Sequence, residues 1–194
     1  GLILTGNVKK ASSSGVISED QKDKCLEEIK FSFDSRGLTR EQVMMLDIIG
    51  NNEWKRSIGF SSPGGSEVSI ALYRKGFVKQ NGMAFELSPL NAAESRFNSD
   101  KMYKNLMENY AYGQMSNPDV LTDYYTRRHT AQYRLHFLSL AEEYISRAFR
   151  AEQSNQQAEM MVSAGITDDR VPELIKEKQI AEFKMKAKAL IHRS

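Results

Sequence analysis

Residues 38–60, LTREQVMMLDIIGNNEWKRSIGF, carry the strongest local structural signals in the chain. Thr39 and Gln42 have the spacing of a capping box, in which each side chain bonds the other residue's backbone amide at the start of a helix. Leu38 and Val43 flank this box at the positions of a hydrophobic staple. Because apolar residues then cover most of the helix surface, the stretch predicts a capped helix that is largely buried.

The segments on either side of this helix predict a small sheet. Residues 50–51 tolerate the left-handed conformation that ends a helix, and residues 54–60 then predict a strand. Alternating apolar residues predict further strands at 29–33 and 83–87, and a helix is predicted over residues 66–80. This order predicts an α/β to α+β fold, in which helices flank a small, mostly parallel sheet with right-handed connections.

From residue 99 onward the spacing of apolar residues becomes helical. Helices are predicted over residues 99–110, 121–152 and 172–192. The long helix carries an apolar stripe that is predicted to face the core: Leu121, Tyr124, Tyr125, Arg128, Ala131, Leu135, Leu138, Ala141, Ile145 and Phe149. The sequence therefore predicts a sheet-containing part, residues 1–98, and a helical part packed on it, residues 99–194, as one compact domain with a helical extension.

The composition argues against several classes of function. The formal net charge is only +2, and the 27 basic and 25 acidic residues are interleaved, so a nucleic-acid partner is not predicted. The surplus of lysine in the last helix is interpreted as a solvated helix face. The single cysteine, Cys25, cannot form an internal disulfide, and its amphipathic surroundings predict a small buried apolar residue.

Other features suggest that the chain is a piece of a longer protein. It begins at Gly1 without an initiator Met, and no signal peptide with a basic start and an apolar middle follows. No apolar run approaches the roughly 18–20 residues that a membrane-spanning helix needs. A direct membrane span within this sequence is therefore not predicted.

The sequence contains no recognisable catalytic or metal-binding motif. A Gly-rich phosphate loop, a Cys/His cluster with metal-ligand spacing and a nucleophile elbow are all missing. His129 and His136 are seven residues apart on one helix face, whereas a helical pair of metal ligands has a spacing of four. We therefore predict no catalytic residue, no metal ligand and no cofactor.

Arg127, Arg128 and Trp54 each have two interpretations. Adjacent residues on a helix diverge by about 100°, so only one of the two arginines can face the core. Arg128 falls on the apolar stripe and is interpreted as a buried structural tie with a carboxylate or carbonyl partner, while Arg127 is predicted to face outward. The alternative is contact with an anion or a sugar phosphate. Trp54 is either a core residue or, with the tyrosines of residues 103–125, a surface on which sugars stack.

Four blocks of sequence, in order, resemble a known family. The blocks are residues 41–56, EQVMMLDIIGNNEWKR; residues 81–89, NGMAFELSP; residues 102–115, which contain MYKNLM and GQM; and residues 125–134, which contain YTRR and YR. Over about residues 15–145 the chain resembles the large, multi-spanning bacterial membrane proteins described as protein O-mannosyltransferase-like, of the GT-C type. The chain departs from the family pattern at Ser57 and Gly59, where a proline and an aromatic residue are usual, and beyond about Arg150.

The resemblance implies that the chain is a C-terminal domain of an enzyme that transfers a sugar from a lipid-linked donor. In such enzymes the catalytic carboxylate lies in a loop near the N-terminal membrane helices, so the resemblance assigns no catalytic residue here. It implies a location on the periplasmic side of the bacterial inner membrane. It also implies contact with the membrane-spanning part of the parent chain.

These observations lead to two expected functions. The first is a non-catalytic domain that positions its own membrane part, an acceptor protein or a glycan. Its candidate ligand-binding residues are Trp54, Arg127, Arg128 and Arg134, the last of which lies in the same matching block as the other arginines. The second is a protein-interaction or scaffold module with a helical-hairpin surface and no sugar contact. An independent small enzyme has the least support, because no catalytic constellation is present.

Overall fold

The computed structural model describes residues 2–5, 8–17, 19–32, 37–90, 96–115, 117–166 and 171–194. The chain divides into two compact units, Gly1–Met102 and Tyr103–Ser194, which are described one at a time. The first unit contains short strands and helices, and the second is helical. The α+β class and the helical C-terminal half that the sequence predicts are therefore confirmed.

The first unit begins with a two-stranded antiparallel sheet. Strand β1, Leu2–Thr5, leads into helix α1, Val8–Ser13, and a 3-10 helix follows at Glu19–Lys24. Strand β2, Glu28–Phe31, then pairs with β1 in antiparallel register. The strand predicted over residues 29–33 is confirmed over residues 29–31; Ser32 follows the strand, and Phe33 lies outside the described residues.

Helix α2, Arg40–Asn52, starts with the predicted capping box. The Gln42 amide donates to Thr39 Oγ1 over 3.3 Å, and the Thr39 amide donates to Gln42 Oε1 over 2.9 Å. The prediction that this helix is largely buried is wrong, because only Gln42 and Ile49 are buried. The helix packs on the core with one face, and Met44 and Ile48 are 58% and 59% exposed.

The end of α2 also differs from the prediction. The left-handed residues are Glu53, with φ 46°, and Trp54, with φ 64°, rather than residues 50–51. The helix continues through Gly50, and the strand predicted over residues 54–60 is reduced to β3, Gly59–Phe60. Burial explains the change, because the chain turns sharply where the Trp54 side chain enters the core.

Strands β3, β4 and β5 form the second sheet. Helix α3, Glu67–Arg74, precedes β4, Val78–Gln80, and β5 follows at Phe85–Leu87. The strand order is β3-β5-β4, and both pairs are antiparallel, so the prediction of a mostly parallel sheet is wrong. The predicted helix over residues 66–80 ends early, and its last residues form β4, which residues 81–84 connect to β5 as a hairpin. The Asn81 amide donates to the Ala84 carbonyl, so Gly82 and Met83 are the central residues of the turn.

The core of the first unit lies between these sheets and helices. Buried apolar side chains from β2, α2, α3, β4 and β5 contribute to it, among them Ile29, Phe31, Ile49, Val68, Leu72, Val78 and Leu87. Gln42 also joins α2 to α3, since its Nε2 donates to Glu67 Oε2 over 2.8 Å. The capping residue of one helix thereby contacts the first turn of the next.

Three helical segments make up most of the second unit. Helix α4, Ser99–Lys104, crosses the division and continues as one π-helical turn, Asn105–Asn109. Helices α5, Tyr124–Ser163, and α6, Glu177–Arg193, form an antiparallel hairpin. Asn155 of α5 makes two 2.8 Å hydrogen bonds with the backbone of Ile175, just before α6 begins. Nearer the start of α5, Tyr144 packs on Phe183 of α6.

The face of α5 that α6 covers is not the predicted apolar stripe. The buried residues of α5 are Phe137, Leu140, Ala141, Tyr144, Ala148, Ala151 and Ala158. The predicted stripe is exposed apart from Ala141; Leu135 and Phe149 are 61% and 59% exposed. The prediction is therefore wrong, and its cause is that α5 has two apolar faces. The sequence prediction relied on one of these faces, and helical spacing cannot say which face a neighbouring helix covers.

Candidate functional site

Trp54 lies in the core of the first unit. It is 6% exposed and belongs to a cluster with Ile49, Phe77 and Leu87. The core interpretation of this residue is therefore confirmed, although Trp54 occupies a turn rather than the predicted strand. Sugar stacking needs an accessible ring face, so ligand contact by Trp54 would require its indole to leave this cluster.

The three candidate arginines lie in the first turns of α5. Arg127, Arg128 and Arg134 are all exposed, so the prediction that Arg128 is a buried tie is wrong. Its position on the stripe explains the error, because this side of α5 faces away from α6. Arg127 and Arg134 are seven residues, or about 10 Å, apart along the same side of the helix.

An acidic N-cap precedes these arginines. Asp123 Oδ1 accepts a 2.6 Å hydrogen bond from the Thr126 amide and so caps α5. This bond lowers the pKa of the Asp123 carboxyl, and the charge of Arg127 lowers it further to a smaller extent. The first turn therefore holds a carboxylate beside the guanidinium groups.

Two exposed tyrosines complete this surface. The rings of Tyr124 and Tyr125 meet edge to face, with centroids 5.5 Å apart. We refer to Tyr124, Tyr125, Arg127, Arg128 and Arg134 as the basic–aromatic start of α5. Guanidinium groups bind carboxylates and phosphates, and tyrosine rings suit sugar faces. The surface can therefore bind an anionic or sugar-containing ligand, but it contains no nucleophile with an adjacent base.

Helix α2 supplies a surface of different chemistry. Leu38, Val43, Met44 and Ile48 are exposed, and we refer to them as the apolar α2 face. The sequence predicts that this helix is largely buried. The apolar character of these residues was visible in the sequence, but their exposure depends on how α2 packs. Met44 and Ile48 lie one helical turn apart and so adjoin each other on this surface. Exposed large apolar side chains that adjoin each other are typical of contact sites for other proteins.

The three-stranded sheet contains a buried polar cluster. Glu86 Oε2 accepts hydrogen bonds from Asn81 Nδ2 over 2.5 Å and from Lys101 Nζ over 2.6 Å. Lys79 lies directly opposite Glu86 in the β4–β5 pairing, and both residues are buried. These contacts join the hairpin to the start of α4. We interpret the cluster as a structural one, because its described groups are engaged with one another.

The histidines occupy separate environments. His136 is half-buried, and desolvation lowers its pKa, whereas His129 is exposed. In the part of the chain that the structure describes, no group of three or more His, Cys, Asp or Glu side chains could hold a metal ion. Over the same residues, the helices lack the combination of length and apolar character that crossing a membrane requires.

Comparison with known proteins places the chain in a family. Neither the curated proteins nor the solved structures include a match. Residues 1–108 match the family described as TMEM260-associated domain 2. The match includes α2 and both sheets, and it ends before α5 begins. Since it covers more than half of the 194 residues, the chain belongs to the TMEM260-associated domain 2 family.

Proposed function

We propose that this chain is a non-catalytic accessory domain of a glycosyltransferase-like membrane protein. The family supports this proposal, because TMEM260 is a protein O-mannosyltransferase-like membrane protein. In this proposal the domain lies on the periplasmic side of a bacterial inner membrane. It contacts the membrane-spanning part of its parent chain and helps to position the acceptor.

The observation that carries the proposal is the apolar α2 face. It lies within the matched residues, on the longest helix of the first unit. Val43, Met44 and Ile48 are about half exposed, and the capping box and the Gln42–Glu67 hydrogen bond hold their helix in place. A preformed apolar surface needs little ordering on binding, which favours a protein partner.

Charged residues of α2 lie beside its exposed apolar side chains. Arg40 and Glu41 lie in its first turn, and Asp47 lies on the helix surface between Val43 and Met44. We expect the partner surface to be apolar at its centre and polar at its edge, as interfaces between proteins commonly are. In the proposal, an extramembrane loop or helix end of the parent's membrane part supplies this surface.

The basic–aromatic start of α5 provides the proposed acceptor or glycan contact. Arg127 and Arg134 lie on one side of the helix at a separation that two charged groups of an extended ligand can match. Arginine is well suited to this role, because its planar guanidinium can donate two parallel hydrogen bonds to a phosphate or carboxylate.

Site-specific photo-crosslinking in the full-length membrane protein tests the α2 contact. A photoreactive residue replaces Met44 or Ile48, and a matched control carries it at Lys75, which is exposed at the end of α3. We expect crosslinks to the membrane-spanning part from the two α2 positions only. No crosslink, or equal crosslinking from Lys75, would contradict the proposal.

An NMR titration tests the ligand contact separately. Acceptor peptide or glycan is added to the chain, and amide shifts are followed around Arg127 and Arg134. We expect shifts at these residues that the double substitution Arg127→Gln/Arg134→Gln removes. An absence of shifts in the wild-type chain would count against substrate contact and leave only the protein-contact role.

A scaffold module without sugar contact is the second candidate. The exposed apolar stripe of α5 favours it, since a helical hairpin with an uncovered face can bind another protein. Co-purification with the parent's membrane part, together with a negative NMR titration, would favour this alternative. Turnover of a sugar–lipid donor by the 194-residue chain alone would contradict both candidates.

A further inference from the structure

The exposed face of α5 has the spacing of a helix-pairing surface. Eight exposed residues follow one another at alternating steps of four and three, and we refer to them as the α5 seam: Tyr124, Arg128, Ala131, Leu135, Leu138, Glu142, Ile145 and Phe149. Alternation of four and three is the heptad spacing of helices that pack side by side. The seam therefore has the pattern of a coiled-coil interface.

This seam is distinct from the face that holds the hairpin together. Helix α6 packs on the opposite side of α5, against residues that include Tyr144, Ala148 and Ala151. From Tyr124 to Phe149 the seam is about 38 Å long at the usual helical rise. A long apolar stripe that remains exposed within the chain is typical of an interaction surface.

The charges along the seam indicate which partner fits it. Arg128 and the flanking Arg127 and Arg134 lie in its first half, whereas Glu142 lies in its second half. In a parallel pair of identical helices, Arg128 would meet Arg128 and Glu142 would meet Glu142. In an antiparallel pair, Glu142 of each seam instead lies near the arginines in the first half of the other seam, so these groups attract each other. Arg147, in the second half, is bound to Glu143 of its own helix.

One antiparallel register places the apolar centres of the two seams together, and it sets Arg128 opposite Ile145, where the long arginine side chain can reach toward Glu142 of the second copy. It places Leu135 opposite Leu138 of the second copy, so that the leucines of both copies form the centre. Proceeding outward, Ala131 then lies opposite Glu142 and Tyr124 lies opposite Phe149. Glu142 is thereby within one helical turn of Arg128 and Arg134 of the second copy, and the small Ala131 leaves space for its side chain.

We propose that the α5 seam pairs antiparallel with the same seam of a second copy of this chain. The inference goes beyond the proposed function, which relies on the α2 face for its protein contact, and the failure of one leaves the other standing. Pairing covers Tyr124 and Arg128, which also belong to the basic–aromatic start of α5. An anion or glycan contact through these two residues therefore belongs to the unpaired form.

Sedimentation velocity of the 194-residue chain over a range of concentrations tests the pairing. We expect a reversible monomer–dimer equilibrium. The double substitution Leu135→Gln/Leu138→Gln should raise the dimer dissociation constant more than about tenfold, since central apolar residues dominate such interfaces. Met185→Gln is the matched control, because Met185 is exposed on α6 outside the seam. A monomer at every concentration, or equal weakening by the control, would overturn the proposal.

Charge exchange tests the antiparallel register. Glu142→Arg alone, and Arg128→Glu/Arg134→Glu alone, should each weaken self-association by about tenfold or more, because like charges then face each other. Mixed in equal amounts, the two variants should form a heterodimer, since each acidic group again meets basic ones. These positions are exposed, so circular dichroism should show an unchanged fold. Failure of the mixture to associate would overturn the register.

Disulfide trapping distinguishes the two orientations directly. In a Cys25→Ser background, Tyr124→Cys and Phe149→Cys chains are mixed and oxidised. The antiparallel pair yields only the mixed disulfide between positions 124 and 149. Disulfides between two copies of position 124 would indicate a parallel pair and overturn the proposal.

Discussion

Replacement of Trp54 by alanine separates a core role from a ligand-binding role. The residue is 6% exposed, and an indole buries about 200 Å². At about 25 cal/mol per Å², this area corresponds to about 5 kcal/mol as an upper bound. We therefore expect Trp54→Ala to lower the free energy of unfolding by about 3–5 kcal/mol, as is usual for a buried tryptophan.

Trp54→Gly provides the matched control for the backbone. Trp54 has φ 64°, a conformation that costs an L-residue about 1–2 kcal/mol but costs glycine little. Glycine loses about 0.5–1 kcal/mol more backbone entropy than alanine on folding. The glycine variant should therefore be more stable than the alanine variant by about 0.5–1 kcal/mol, although both lack the indole.

Urea unfolding followed by far-ultraviolet circular dichroism measures both variants. Fluorescence is unsuitable, because Trp54 is the only tryptophan in the chain. A change of less than about 1 kcal/mol in Trp54→Ala would refute the core role, since surface substitutions have effects of that size. Loss of glycan binding in such a stable variant would restore the stacking interpretation. An alanine variant more stable than the glycine variant would refute the backbone argument.

Three further predictions concern the polar groups. Glu86→Ala should lower the free energy of unfolding by about 2 kcal/mol, because it leaves the polar partners of Glu86 without their acceptor. The expected loss is kept this small because the ion-pair partner Lys101 is 37% exposed and solvent screens its charge. An unchanged urea midpoint would contradict this prediction. Thr39→Ala should lower the free energy of unfolding by about 1 kcal/mol, because α2 loses its N-cap. Thr39→Ser keeps the hydroxyl and should lower it little. Equal losses in the two variants would count against the capping role. The pKa of His136 is lowered by burial, so the stability that its neutral form contributes is complete above about pH 6.5 and is lost as the pH falls through the folded-state value. Thermal unfolding at several pH values should show that His136→Gln flattens this dependence and that substitution of the exposed His129 does not; the same slope in both would contradict the assignment.

The start of α2 and its end differ in how far sequence predicts them. The capping box depends on residues three apart, so Thr39 and Gln42 were sufficient to predict it. The end of the helix depends on the burial of Trp54. The helix continues beyond Gly50, and the two left-handed residues Glu53 and Trp54 follow it. The sheet shows the same limit. Alternation predicts strands, but the antiparallel pairing of β4 with β5 follows from the short connection at residues 81–84, which alternation does not reveal.

The candidate ligand-binding residues were predicted as residue types, but their environments were not. Arg127 was correctly expected to be exposed, whereas Arg128 was placed in the core because it shares a stripe with leucines. Contacts between residues far apart in the sequence, such as Glu86 with Lys101, cannot be predicted from the spacing of neighbouring residues. Helix α2 was predicted to be largely buried for a similar reason, since hydrophobicity alone does not show which side of a helix is covered.

By itself, the sequence determined the α+β class, the capped start of α2 and the helical C-terminal half with one apolar stripe along α5. These features arise from interactions between residues a few positions apart, which spacing records directly. The tertiary structure alone decided that the strands pair antiparallel, that Trp54 is buried in a left-handed turn, and that α6 covers one face of α5 and leaves the seam exposed. Those outcomes depend on which apolar surfaces meet in three dimensions, and burial among distant residues selects between arrangements that local spacing allows equally.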